Sequence, residues 1–425
     1  MLSAIINAFR VPDLRKKIFF TLAIIALYRL GSFIPAPGIP ANALVEAFQD
    51  SAADNAAMLF MNLFSGNALS KFSVLSLGIM PYITSSIIMQ LMQGVIPTLQ
   101  RWAREGETGQ KKITQITRYV TLGLGLINAI GYLLLFQSKN YGVVLTSELP
   151  KLLTSAVIVF TLVAGVALIM WMGELITQRG IGNGMSLIIF SNIVAGFPSA
   201  IWSSAETGGL PMTAMIIIVV LFVIPGIVLI ERAQRRIPIN YAKRIQGRRV
   251  MGGTSTYIPL KVNGAGVIPI IFASALLSFP TQLAAFFAVD WLTKVANALS
   301  SSSWINWIIN SILIVFFCFF YTSMVFNPND IADNLRKQGG FIPGVRPGIN
   351  TVQYIKNVLN RITLPGGVYI AAIAVVPSIL FAFTGDYLIT AFGGTSILIM
   401  VGVALDTMSK LESQLKMHHY EGFFK

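Results

Sequence analysis

Residues 78–90 read GIMPYITSSIIMQ. The stretch carries no charge, so as a helix it belongs in an oily environment. Yet Thr84, Ser85, Ser86 and Gln90 dilute its apolar side chains, and Gly78 and Pro81 weaken helical order. Ile79 and Ile83 stand one turn apart and share a face. Small and hydroxyl residues of this kind also serve ordinary helix packing, so the stripe alone leaves its purpose open.

The wider chain has the same oily character. Its 425 residues are 55% hydrophobic and 11% charged, with mean hydropathy +0.71. A soluble domain carries about a quarter charged residues. Here the charges cluster, and between the clusters run apolar stretches of roughly 20 residues, enough to cross a bilayer. Ten spans are predicted, near 17–35, 74–96, 119–137, 152–172, 183–201, 212–231, 266–288, 304–326, 366–384 and 391–410. Continuous apolar runs, without strict alternation, exclude a β-barrel. The expected fold class is an all-α polytopic membrane protein. No cleavable signal is expected, because the first run follows Arg15, Lys16 and Lys17 and is long enough to span. Residues 1–14, with Ile5, Ile6, Phe9 and Leu14, suit a membrane surface.

Lys and Arg divide sharply between alternate loops. Of 31, 26 fall on the side that holds both termini, 4 on the other, and Arg29 lies inside the first span. That asymmetry predicts a cytoplasmic location for both termini and for the basic loops. The loop between spans six and seven, within 232–265, is the most basic. Its centre, RIQGRRVMGGTSTYIPLKV, surrounds Gly-Gly with Thr, Tyr, Val and Ile, as a β-hairpin does. A structured basic protrusion suits an anionic partner: ribosomal RNA, anionic lipid or an acidic protein face. The loop at 327–361 contains FIPGVRPG, in which two prolines and two glycines frame Arg346 more rigidly than topology requires.

The link at 202–211 (external on this topology) divides the chain five spans against five. An odd number makes a structural repeat inverted, a common plan in transport folds, with the pathway between the halves. The halves are then residues 1–201 and 212–425, with the link as hinge. Residues 36–73, also external, include LFMNLFSGNALSKFSVL. This is too apolar for a free loop and too interrupted for a span. A short re-entrant helix and an interfacial helix lying flat outside both fit.

Several chemistries find no support. There is no Gly-Lys dipeptide and hence no P-loop. The histidines, His418 and His419, come late and adjacent, so neither a metal motif nor a His-based triad is expected within the spans. Cys318 is the single cysteine and forms no disulfide within the chain. Arg29, Glu174 and Asp406 are the few ionisable residues in or near spans, with no chain of buried acids for proton coupling. No cofactor is expected.

At this point the motifs matter jointly. NLFSGNALSKFSVLSLGIMPYITSSIIMQL (62–91), EGETGQKKITQITRY (105–119), QRGIGNGMSLIIF (178–190), RRIPINYAKRIQGRR (235–249), PLKVNGAGVIPIIFASALLSFP (259–280), NPNDIADNLRKQGGFIPGVRPG (327–348) and FGGTSILIMVGVALD (392–406) run in one order. Together they resemble the bacterial SecY family, the channel subunit of the Sec protein translocon. The resemblance implies ten helices in two inverted five-helix halves around a central hourglass pore. It implies a waist ring of Ile79, Ile83, Ile189, Ile193, Ile271 and Ile399. A one-residue shift of phase in span five brings Ile188 to the ring in place of Ile189. It implies a plug near 59–72, with Asn62, Phe64, Ser65 and Gly66. A lateral gate lies between spans two and three and spans seven and eight, and is assigned Thr84, Ser85, Gln90 and Asn263. Contacts for the SecA ATPase and the ribosome fall on Arg236, Arg248, Arg249 and Arg346. Membrane partners SecE and SecG, secretory preproteins with signal sequences, and the lipid of the bacterial cytoplasmic membrane complete the implied setting.

Physical reasoning agrees with the ring. Branched apolar side chains exclude water, and hydrophobic constrictions gate by dewetting. A passive protein-conducting channel therefore stands first. A small-solute transporter predicts a polar midplane site, and an intramembrane protease predicts paired Asp, Ser/His or zinc ligands; the spans provide neither.

Overall fold

Ten helices of at least 16 residues fall on the ten apolar runs, one on each. The computed structural model describes residues 9–38, 62, 65–137, 150–207, 209–241, 244–246, 249–251, 255–287, 290–299, 303–384 and 394–421. In chain order the elements are α1 (Pro12–Gly31), α2 (Met80–Val95), α3 (Pro97–Arg104), α4 (Glu107–Gln137), α5 (Lys151–Arg179), α6 (Gly184–Thr207) and α7 (Gly209–Arg232). Strands β1 (Gln234–Tyr241), β2 (Arg244–Gln246), β3 (Arg249–Met251) and β4 (Ser255–Lys261) follow. Then come α8 (Ile268–Phe287), α9 (Asp290–Ala298), α10 (Trp304–Val325), α11 (Pro328–Lys337), β5 (Gly340–Phe341), α12 (Ile349–Thr384) and α13 (Gly394–Glu421). Among the described residues, the stretches Lys151–Arg179, Trp304–Lys337 and Ile349–Val376 are by themselves long and apolar enough to cross a bilayer, with hydropathies of 2.6, 2.2 and 1.5.

Local chemistry sets the ends. Proline opens α1, α2, α3 and α11, where its missing N–H costs nothing. The Ser303 and Asn327 side chains cap α10 and α11 by accepting from Ile305 N and Asn329 N, at 3.3 and 3.2 Å. The link expected over 202–211 is largely helical, since α6 runs to Thr207 and α7 starts at Gly209.

The helices pack around one apolar core. On one side α2, α4, α5 and α1 are neighbours in turn; on the other, α8, α10 and α12. Helix α8 closes against α2 and α4, and α6, α7 and α13 complete the enclosure. Two glycines allow close approach. A Cβ on Gly165 would strike the Val74 carbonyl, and one on Gly184 would strike the Gly173 carbonyl.

At the basic end the two large loops form one lobe. β1 pairs antiparallel with β4, Ile237 opposite Ile258, and with β5, Asn240 opposite Phe341. Its core is Ile237, Leu260, Ile342, Ile355 and Leu359, so the first turns of α12 belong to it. The hairpin expected around Gly252-Gly253 turns earlier. Gln246 pairs with Arg249, so β2 and β3 are antiparallel partners before the Gly-Gly pair is reached. The Gly-Gly pair falls between β3 and β4, outside the described residues. A β-rich composition locates a hairpin but not its register.

Candidate functional site

The opening stretch is not the middle of a span. Gly78, at φ 57°, makes a left-handed turn, Ile79 is the N-cap of α2, and Pro81 sits in the first helical turn. Gly78 and Pro81 therefore shape the start of α2 and do not loosen its interior. The Ile83 N–H reaches the Ile79 carbonyl at 3.1 Å, which stacks the two side chains. Ile79, Ile83, Ile189, Ile193, Ile271 and Ile399 are all buried and all belong to one apolar cluster. They come from α2 and its N-cap, α6, α8 and α13. Burial alone does not separate Ile189 from Ile188, since both are inside. Their neighbours do. A Cβ on Gly173 of α5 would lie 3.4 Å from Ile188 Cδ1, so Ile188 packs toward α5. Ile189, about 100° further round the helix, shares instead the side of Ile193, four residues on.

The segment that ends in Val74 and Leu75 packs against that cluster through these two residues. Ser65, Ala68, Leu69, Phe72, Ser73 and Leu75 are buried, which excludes an exposed helix lying flat outside. Asn62 and Ser65 are helical, and from Gly66 to Ile79 the chain runs as turns, with a bridge at Ser73 to Pro35. Side chains replace the helical ladder. Asn62 Nδ2 donates to Asn67 Oδ1 at 3.2 Å, and its Oδ1 accepts from Ser70 N at 3.1 Å. Ser65 Oγ donates to the Asn62 carbonyl and accepts from Leu69 N, at 3.0 and 3.1 Å. Edge-like bonds fix the base: Ala36 N to Phe72 O and Val74 N to Ile34 O, both 2.9 Å. Arg29, which as an intramembrane cation needed a partner, donates from Nη1 to the Gly66 carbonyl at 2.9 Å. Asn192 of α6 stands on the same glycine. The expected plug residues 59–61 and Phe64 lie outside the described residues.

Among the described residues the hydrogen bonds of the α2 polar stripe stay on its own side, with the Gln90 Oε1 left without a partner. Thr84 Oγ1 donates to the Met80 carbonyl at 3.1 Å and Gln90 Nε2 to Ser86 Oγ at 3.2 Å. The buried Ser85 hydroxyl donates to the Thr117 carbonyl of α4 at 2.8 Å. Asn263 is elsewhere, just before α8. Its amide donates to the Glu231 carboxylate and, at 3.0 Å, to the Gly266 carbonyl. Thus Thr84, Ser85 and Gln90 belong to the α2–α4 side and Asn263 to the α7–α8 side, and none of these bonds crosses between α2 and α8. Arg118 and Glu174 tie α4 to α5, with Nε to Oε1 at 2.8 Å and Nη2 to Oε2. At the basic end a cavity of about 690 Å³ is lined by Glu231, Arg236, Lys261, Asn263, Tyr321 and Asp406, among others.

On the lobe, Arg236 is exposed and lies 4.9 Å over the Tyr257 ring. Arg346 is exposed, and its carbonyl accepts from Thr351 Oγ1 at 3.1 Å, which stiffens the PGVRPG turn. Arg249 is in β3, with its side chain outside the described residues, and Arg248 is outside them altogether. Sequence reasoning missed the joining of both basic loops in one sheet and the Arg29–Gly66 bond. Both pair residues far apart in the chain.

Known proteins agree with this arrangement. The SecY family model matches residues 73–408. Protein translocase subunit SecY of Streptomyces scabiei is 46% identical over 443 residues, covering 100% of both chains. That of Mycobacterium tuberculosis is 47% identical over 444 residues, again with 100% of both covered. Among solved structures, a protein-conducting channel superposes with TM-score 0.65 at 17% identity, over 93% of this chain and 91% of the other. A canine ribosome–channel complex from the endoplasmic reticulum gives TM-score 0.61 at 16% identity, over 93% and 91%. Full-length identity of this order, together with the shared helical arrangement, means that the chain belongs to the SecY family.

Proposed function

We propose that this chain is a passive protein-conducting channel, not an enzyme. It passes unfolded secretory polypeptides across the bacterial cytoplasmic membrane and releases apolar segments sideways into lipid. The observation that supports the reading is that all six isoleucines of the expected ring, from four parts of the chain, are buried within one apolar cluster. Such a ring seals against ions by excluding water and deforms around a passing chain, because it is held by packing alone. The segment at 62–75 closes it from one side as a plug, and the α2–α8 contact is the closed lateral gate. The halves 1–201 and 212–425 move about the short α6–α7 link. Both termini and the basic lobe face the cytoplasm, where Arg236, Arg248, Arg249 and Arg346 meet SecA or the ribosome. SecE and SecG are the membrane partners. The channel itself has no energy source, so SecA or the ribosome drives transport.

Photo-crosslinking tests the pathway. A photoreactive residue replaces Ile83, and separately Ile189, and a secretory precursor is stalled part-way through in membranes. Adducts at both positions, lost without precursor or SecA, are expected. Normal engagement of precursor with no adduct at either position places the pore elsewhere; a precursor that never engages removes the channel reading itself.

A further inference from the structure

We propose that Arg29 is a positioning residue that seats the plug: from α1 it grips the Gly66 carbonyl against Asn192 of α6, and resting closure depends on that grip. The inference rests on the channel reading above and names the residue that holds its closed state.

Four observations lead there. Arg29 is the one basic residue that the sequence places well inside a span, and an intramembrane cation is costly unless it does something. Among the described residues it has no carboxylate partner; its bond goes to a backbone carbonyl 37 residues away, at 2.9 Å. A charge-assisted bond to a neutral carbonyl is strong, yet it separates without pulling two ions apart.

The second observation is Gly66 itself. Its φ is +66°, and a Cβ there would meet Arg29 Nη1 and lie 2.7 Å from Asn192 Oδ1. The missing side chain thus leaves room for residues of two helices, Arg29 and Asn192, to come together against one side of the glycine. The third is that the turns carry backbone strain. Asn67 and Phe72 are non-glycine residues at φ 64° and 43°. L residues avoid that region, and such conformations persist only where the surroundings impose them.

The fourth is how the segment is anchored. Its base is fixed by the bonds from Ala36 to Phe72 and from Ile34 to Val74. Arg29 holds it a second time at Gly66, six residues before Phe72. A segment fixed at its base and held at a second point swings about the base when that second point is released. Both gripping helices, α1 and α6, come from the first five spans, so movement of α8 and α10 alone does not carry the plug away.

The test uses the assembled complex with its membrane partners in planar bilayers and in vesicles. Wild type is first shown to translocate a secretory precursor; failure at that stage removes the channel reading and leaves no latch to discuss. Resting ion conductance is then measured without precursor, together with thermal stability. Arg29→Ala and Gly66→Ala are each expected to raise resting conductance about tenfold, the factor that losing one charge-assisted bond sets in a two-state equilibrium. Both should still translocate. Arg29→Ala as tight as wild type overturns the proposal, and a leaky Arg29→Ala beside a tight Gly66→Ala overturns the choice of partner. If Arg29→Ala does not assemble, Gly66→Ala decides alone, and wild-type conductance there overturns the grip.

Discussion

Ile188 and Ile189 are adjacent, chemically identical and both buried, yet they face different work. Ile188 fills the space beside Gly173 on α5, while Ile189 lines up with Ile193, four residues on. The same substitution should therefore give two different phenotypes. Asn at 188 places an amide in a dry helix–helix contact, where an unsatisfied polar group costs about 1–3 kcal/mol. Its expected effect is a lowered melting temperature with a tight resting channel. Asn at 189 places the amide at the waist, where it attracts water in place of breaking a packing contact. Its expected effect is raised resting conductance with nearly normal stability. Conductance and thermal unfolding of the two variants side by side separate these outcomes. If both behave alike, the phase assigned to α6 is wrong.

At the scale of elements, the apolar runs were readable because length and continuity are strong signals: a bilayer demands about 20 apolar residues, and all ten runs became helices. What the runs did not reveal is where the helices stop. Helix α12 begins at Ile349, well before the apolar run at 366, because Ile355 and Leu359 of its first turns pack into the lobe. Helix α2 begins late, at Met80, because Gly78 turns the chain just before it. The lobe was legible only in pieces. Its basic charge and β-forming residues are local features, whereas the β1–β5 pairing joins residues about a hundred apart. The plug was legible as an oddly apolar external segment, and its turns were not, since side-chain bonds such as Asn62–Ser70 have no periodic signature. The shared core makes a prediction at this scale. Ile237→Asp puts a carboxylate among Leu260, Ile342, Ile355 and Leu359, a change of several kcal/mol in a small cluster. Both docking loops should fail together: protease sites in 244–261 and in 338–348 should become accessible at once, and binding of ribosome and SecA should fall while the membrane helices remain folded. Loss of only one loop's protection shows that the lobe is not one unit.

For the whole molecule, the seam between α2 and α8 is the place where the bundle can part. Ser85 fastens α2 to α4, and Asn263 fastens the start of α8 to the end of α7. The hydroxyls along α2 are satisfied within α2 or by α4, so parting from α8 breaks packing and not a polar ladder. In lipid such packing is a small loss, because acyl chains fill the opened surface about as well as leucine does. A covalent tie is the direct test. The chain has a single cysteine, Cys318, buried on α10, so a Cys318→Ala background is clean. Cysteine pairs scanned along α2 and α8 should form disulfides only where their Cβ atoms lie within about 4.5 Å. The oxidised complex should bind precursor but neither translocate it nor release an apolar segment to lipid, and reduction should restore both. A fully oxidised seam that still releases apolar segments would place the exit between another pair of helices, because a covalent tie resists any separation the seam needs. A seam that blocks lateral release alone, with translocation intact, would mean that the waist widens without parting α2 from α8, and that the two pathways through this fold open independently.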